Sequence, residues 1–174
     1  MARIYLGIGS NVNPAANLRL AVGELQRRFD RLAVSRVYRS PPLGFEGDDF
    51  LNAVVALDSD LSPDEVLRVM EEIHIAAGRR RDPSRAVSRT LDIDLLLYNE
   101  LVLNRPGLQL PRSDVLRYNF VLRPLAELVP EVVHPVTGLS FAEHWRRFQA
   151  GEESDEEARE HPLAEVNVDL FEPK

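Results

Sequence analysis

The sequence predicts an α+β fold with the element order β-α-β-β-α-β and further elements after it. Three observations carry that expectation: apolar runs of strand length, two segments with apolar residues at helical spacing, and turn or cap chemistry between them. Residues 3–9 (RIYLGIG) read as a first strand ending in a glycine turn. Asn13 stands at a helix-cap position and Pro14 at the first helical one. Leu18, Ala21, Val22, Leu25 and Phe29 then mark one apolar face. Residues 33–39 form a second strand. Ser40 to Asp49 (SPPLGFEGDD), with two prolines, two glycines and three acids, is a loop, and 50–57 (FLNAVVAL) is a third strand.

Ser62-Pro63-Asp64-Glu65 combines a cap, a first-position proline and a capping-box glutamate, so a second helix starts there. Val66, Met70, Ile73 and Ala77 continue its apolar face, and Gly78 ends it. Residues 79–89 (RRRDPSRAVSR) carry five arginines and one acid, which reads as an exposed basic loop, and 90–98 (TLDIDLLLY) is a fourth strand. This order is the ferredoxin-like arrangement, an antiparallel sheet with two helices on one face. C-terminal additions follow it: a helical stretch over 114–129 broken at Pro124, and a helix from Ser140 to Phe148 with Ser140 and Glu143 as a capping box. Residues 150–162 lack a core pattern and read as disordered or loosely attached. The final VNVDLF alternates weakly, as an edge strand would.

The 174 residues, 44% apolar, suffice for one core. The expected organisation is one domain over 1–149 and an acidic tail over 150–174. That tail holds nine acids and two basic residues, and so accounts for the whole net charge of -7; the body is neutral. A neutral body argues against nucleic-acid partners. The absence of cysteine excludes disulfides, thiolate metal sites and a cysteine nucleophile. With no apolar run of spanning length and no signal-peptide pattern, the expectation is a cytoplasmic protein without membrane partners; separately, it is expected to act alone, as a monomer. The only lysine is Lys174, so no Walker A motif exists, and a phosphate clamp must use arginine or backbone N–H groups.

Asp92 and Asp94 sit two apart in an apolar strand, so both carboxylates share a face while Leu91, Ile93 and Leu95 point into the core. Paired like charges ask for compensation, and Mg²⁺ held by carboxylates and substrate phosphates supplies it. A solvated acid pair is the plainer alternative. The neighbouring Arg79, Arg80, Arg81, Arg85 and Arg89, a phosphate-seeking set, tip the balance toward the metal. Phe50, Asn52 and Phe120 suggest a pocket for a flat polar ring, although a strand phenylalanine is more often core. Gly7, Gly9, Ser10 and Asn11 are not a dinucleotide fingerprint and read as a turn. His74 reads as a partly exposed helix residue, and no histidine spacing suggests zinc.

The motifs GIGSN at 7–11, SPPLGF at 40–45, FLNAVVAL at 50–57, RTLDIDLLLY at 89–98 and FVLRPLAELVPEVVHP at 120–135, in this order, resemble the 6-hydroxymethyl-7,8-dihydropterin pyrophosphokinases. The resemblance covers about 3–135. It implies diphosphate transfer from ATP to a pterin alcohol, a step in folate biosynthesis. It further implies two Mg²⁺ ions on Asp92 and Asp94, and a pterin between Phe50 and Phe120, read by Asn52 and by the loop with Ser40, Pro41 and Leu43. Catalytic roles fall on Arg79, Arg81, Arg89, Asp92 and Asp94. ATP contacts fall on His74, Arg79, Arg81, Arg85, Arg89, Ile93, Arg112, Arg117 and Tyr118. The chain departs from the family at His74 (family Glu), Ala86-Val87-Ser88, Arg112 (family His) and Tyr118 (family Arg, with Arg117 adjacent), all on the nucleotide side. A non-catalytic pterin- or nucleotide-binding protein of the same fold is the alternative. A ferredoxin-like nucleic-acid module, stacking on Phe50, is a third reading.

Overall fold

The computed structural model describes residues 1–78 and 91–171. In chain order these form β1 (Ala2–Ser10), α1 (Pro14–Arg28), β2 (Leu32–Val34), β3 (Val37–Ser40), β4 (Phe50–Ser59), α2 (Pro63–Ala76) and β5 (Asp92–Tyr98). There follow β6 (Leu103–Arg105), β7 (Leu108–Leu110), α3 (Asp114–Arg117), α4 (Asn119–Leu128), α5 (Phe141–Ala150), α6 (Glu156–Glu160) and β8 (Ala164–Val166). The main sheet has the order β5-β1-β4-β3-β8, with β2 also on β4, and every neighbouring pair is antiparallel. β6 and β7 form a separate hairpin.

Strand alternation divides the core in two. Ile4, Leu6 and Ile8 of β1, Val55 and Leu57 of β4, and Ile93 and Leu95 of β5 face α1 and α2, where Leu18, Val22, Leu25, Met70 and Ile73 meet them. The opposite face presents Tyr5, Val54, Ala56, Leu96 and Leu97 to Leu122, Leu125, Phe141 and Phe148 of α4 and α5. The sheet is therefore covered on both sides, whereas one helical layer was expected. A register shift beside Tyr5 and Leu6 delivers Leu96 and Leu97 together into the second core.

Several elements differ from the sequence expectations for identifiable reasons. β1 does not turn at its glycines: as a central strand it pairs on both sides as far as Gly9, and this pairing outweighs the weak strand preference of glycine. The second strand is split into β2 and β3. At the interruption Ser35 stays on β4 through its backbone N–H to the Val54 carbonyl and through its hydroxyl, which accepts from the Val54 N–H at 2.8 Å. Asn13 occupies the cap position in a left-handed conformation (φ 42°), but its side chain makes no capping bond. The capping box at Ser62 and Glu65 is present in both directions.

The 114–129 stretch breaks at Tyr118, which is extended (φ -116°, ψ 132°), and Pro124 lies inside α4. The C-terminal segment is packed, not loose. Asp155 caps α6, β8 covers the open edge of β3, and Leu170 is buried in the first core. The strand there is 164–166, so only Val166 of the expected VNVDLF strand is in it.

Candidate functional site

Beside the first turn of α4 a cleft of about 250 Å³ opens on the second face of the sheet. Its floor follows from the register. Gly9 lies in β1 between Asp92 of β5 and Asn52 of β4, and Gly7 between Asp94 and Val54. Side chains alternate, so these glycines are the positions where β1 would otherwise project into the cleft. With no side chain there, two carboxylates on one flank confront an amide on the other across bare backbone. A Cβ at Gly9 would lie 2.5 Å from Asn52 Oδ1; one at Gly7 would meet Leu96 at an ordinary 3.5 Å. A side chain at Gly9 would thus displace Asn52, so the glycine answers to close approach and not to a turn.

Asn52 Nδ2 lies 3.5 Å from the hydroxyl of buried Ser40, a long hydrogen bond that ties the amide to the start of the 40–49 loop. That loop supplies Pro41, Leu43 and Phe45 to the cleft wall. Phe45 packs edge-on against Phe50 with centroids 6.3 Å apart. The opposite wall carries Tyr118 stacked on Phe120 at 5.2 Å and 10°, and outside the cleft the Arg117 guanidinium lies over Tyr118 at 5.1 Å. The break before α4 makes this possible, since an extended Tyr118 directs its ring back over the first turn.

Asp92 and Asp94 stand on the flank while Ile93 between them is buried among the core residues under α2. Arg112 bridges two acids: Nη2 is 3.6 Å from Asp94 and Nε is 3.0 Å from Asp114. Burial would lower the Arg112 pKa, but the carboxylates of Asp94, Asp114 and Asp92 outweigh it and hold the guanidinium above its ordinary value. It is a permanent cation on the rim. Among the described residues no group of three or more His, Cys, Asp or Glu could hold a metal by itself. Two partly exposed carboxylates on one face suit a hard cation that takes its remaining ligands from water and phosphate, as Mg²⁺ does.

A second cavity, about 290 Å³, adjoins the first between α2, β5 and the β6–β7 hairpin; Asp94 and Arg112 line both. His74 borders it. Expected to be partly exposed, it is buried: its Nε2 accepts the backbone N–H of Ile93 at 2.9 Å, and Glu71 lies 3.5 Å from Nδ1. The helix face that carries Ile73 and Met70 also turns His74 toward β5, so the histidine holds the strand between its two aspartates.

Ser40, Pro41, Leu43, Phe50, Asn52, Asp92, Asp94 and Phe120 all border the first cleft, as do Arg112 and Tyr118. His74, Ile93 and Arg112 border the second. Tyr118, expected on the nucleotide side, lies in the first cleft beside Phe120. Arg117 is exposed and borders neither. Arg79, Arg81, Arg85 and Arg89 lie outside the described residues. Phe45, Asp114 and the glycine floor were not picked out from the sequence. The spacing of Gly7 and Gly9 by two, in phase with Asp92 and Asp94, was the available signal for the floor. No helix among the described residues is long and apolar enough to cross a membrane.

The family model for 7,8-dihydro-6-hydroxymethylpterin-pyrophosphokinase matches residues 5–130. The 2-amino-4-hydroxy-6-hydroxymethyldihydropteridine pyrophosphokinase of Methylorubrum extorquens is 42% identical over 137 residues, covering 76% of this chain and 86% of the relative. That of Pseudomonas aeruginosa is 38% identical over 137 residues, covering 76% and 84%. Among solved structures, a Plasmodium falciparum HPPK-DHPS triple mutant with pteroate superposes with TM-score 0.68 at 13% identity, covering 96% of this chain. The chain spans 47% of that longer protein's length, and the likeness is one of fold.

Proposed function

The chain belongs to the 7,8-dihydro-6-hydroxymethylpterin-pyrophosphokinase family, an ATP-dependent diphosphotransferase on a dihydropterin, and we propose that the first cleft seats the dihydropterin and the adjoining cavity the nucleotide. The single observation that carries this reading is the bare glycine floor of β1, which sets Asn52 opposite Asp92 and Asp94 within one cleft. A flat heterocycle laid on that floor meets an amide with both a donor and an acceptor at one edge, aromatic rings at its sides, and the carboxylates beyond its other end. Phe50 and Phe120 supply the rings.

Asp92 and Asp94 are the residues that would hold Mg²⁺, two ions in our reading. The metal, when bound, supplies charge neutralisation on the phosphates and Lewis-acid polarisation of the transferring group. The chain's own part is positioning. Arg112, shared by both cavities, holds a fixed positive charge where the phosphates cross between them, and His74 fixes the strand segment Ile93 in the nucleotide cavity. Arg79, Arg81, Arg85 and Arg89 complete the clamp in this proposal, whereas Tyr118, stacked on Phe120 in the first cleft, belongs to the pterin wall. The hydroxymethyl oxygen attacks the β-phosphorus. That O–P bond forms as the α,β-bridging P–O bond breaks, AMP departs with the bridging oxygen, and the hydroxyl proton is lost to solvent. No side chain near the floor is needed as a general base, since alignment supplies much of the rate.

The strand order β5-β1-β4-β3 supports a ferredoxin-like core within 1–149, to which 150–174 is added. The test of the function is AMP formation from MgATP upon addition of 6-hydroxymethyl-7,8-dihydropterin. Release of AMP with equimolar dihydropterin diphosphate is expected. Tight pterin binding without AMP would refute it in favour of a non-catalytic binding protein.

A further inference from the structure

Residues 155–170 lie outside the stretch 5–130 that the family model matches, yet they touch Phe120 on one wall of the cleft and the strand that leads into Ser40 on the other. Asp155 accepts the Ala158 N–H at 2.8 Å and starts α6, and Pro162 follows its end. The His161 carbonyl then accepts from Nδ2 of buried Asn119 at 2.8 Å. The His161 ring packs on Phe120 with centroids 5.9 Å apart and planes tilted by 56°. Three residues later Ala164, Glu165 and Val166 pair with Arg39, Tyr38 and Val37 of β3, the strand that runs into Ser40. Beyond this, the Asp169 carbonyl accepts from Arg19 at 2.9 Å, and Leu170 is buried. One short run, 161–166, is thus fastened to the first turn of α4, which carries Phe120, and to the strand that carries Ser40. Its far end is anchored in the core.

We propose that this segment is a strap joining the two elements that flank the ring-binding cleft, with His161 as a positioning residue that sets the Phe120 ring. The inference rests on the reading that this cleft seats the dihydropterin. His161 does not line the cleft, whereas Phe120 does, so the histidine acts through the phenylalanine. Tyr118 already stacks on Phe120, and His161 supplies a second contact that limits the ring's rotation. The imidazole is held by packing rather than by polarity: its Nε2 is buried with no hydrogen-bond partner among the described residues, a cost that ring packing must offset. A phenylalanine at 161 would keep the packing and shed that cost. The backbone carbonyl that fastens Asn119 remains in any substitution.

The experiment compares His161→Ala, His161→Phe, Phe120→Ala and the double variant His161→Ala/Phe120→Ala in the full chain, measuring kcat, both KM values and thermal midpoints. His161→Ala is expected to raise the dihydropterin KM about 2- to 10-fold, the scale of one aromatic contact, with kcat and the ATP KM changed less than about twofold. His161→Phe is expected to restore it, and the double variant to bind the pterin no more weakly than Phe120→Ala alone. A pterin KM unmoved by His161→Ala, a parallel rise in the ATP KM, or an effect that adds to that of Phe120→Ala would overturn the proposal. A pterin KM unmoved by Phe120→Ala would overturn the cleft assignment itself, and the strap's role with it.

Discussion

Gly9→Ala isolates the floor of the cleft by a single methyl group. The backbone at Gly9 is not in the left-handed region, so alanine is accepted there and even favoured within a strand by roughly 0.5–1 kcal/mol. The new Cβ, however, would stand 2.5 Å from Asn52 Oδ1, almost 1 Å inside ordinary contact. Asn52 is the flexible partner and must withdraw, which breaks its long contact with Ser40. Withdrawn, the amide no longer meets the heterocycle edge. A misplaced pair of hydrogen bonds costs about 1–2 kcal/mol, a roughly 5- to 30-fold loss of pterin affinity. Gly7→Ala is the matched control, because its methyl meets Leu96 at 3.5 Å and displaces no polar group. The assay is calorimetric titration of both variants with the dihydropterin and separately with a non-hydrolysable MgATP analogue, beside a thermal melt. Gly9→Ala with undiminished pterin affinity, or with equal losses for both ligands, would show that Asn52 does not read the ring from this floor.

Phe50→Ala and Phe120→Ala should each weaken dihydropterin binding by about 1–3 kcal/mol, by analogy with base stacking, and leave ATP binding nearly unchanged; calorimetry with both ligands checks this. Removing 151–174 takes the formal net charge from -7 to 0 and uncovers the edge of β3 together with the site of Leu170. Burial of one leucine is worth about 1.5–3 kcal/mol, so the melting midpoint should fall by about 5 °C or more, and an unchanged midpoint would show the tail to be energetically idle. His134 is buried against His144, and desolvation followed by that neighbour lowers its pKa. Its neutral form is the one the fold stabilises, so this contribution is complete above the unfolded value near 6.5 and is lost as pH falls below it. The midpoint should therefore drop between about pH 7 and pH 5, and less steeply in His134→Asn, which keeps the acceptor for Val136 and Thr137.

Much of the fold was legible because alternation and capping act locally. The Ser62 box, the α1 face and the in-phase Asp92 and Asp94 needed no tertiary information. What escaped the sequence depends on partners distant in the chain. Gly7 and Gly9 read as a turn until β4 and β5 are laid on either side of β1. His74 reads as partly exposed until its Nε2 meets the Ile93 N–H, 19 positions away. The acidic run 152–160 lacks an apolar period, and it is ordered instead by caps, by the hydrogen bond between Glu153 and His144 and by the ion pair of Glu153 with Arg147. Within the site, Asn52, Phe50 and Phe120 could be named from residue type and resemblance, whereas Phe45 could not: its place on the wall depends on how the 40–49 loop folds back on Phe50.

The most direct test of the account is single-turnover AMP release by Asp92→Asn/Asp94→Asn, with dihydropterin affinity measured on the same preparation. In the proposed seating of the ring the carboxylates lie beyond the floor that carries it. Pterin affinity should therefore stay within about threefold of the parent chain, while AMP release falls by at least about a thousandfold, the several kcal/mol that metal-assisted charge stabilisation supplies. AMP released at the parental rate, with unchanged Mg²⁺ dependence, would contradict it.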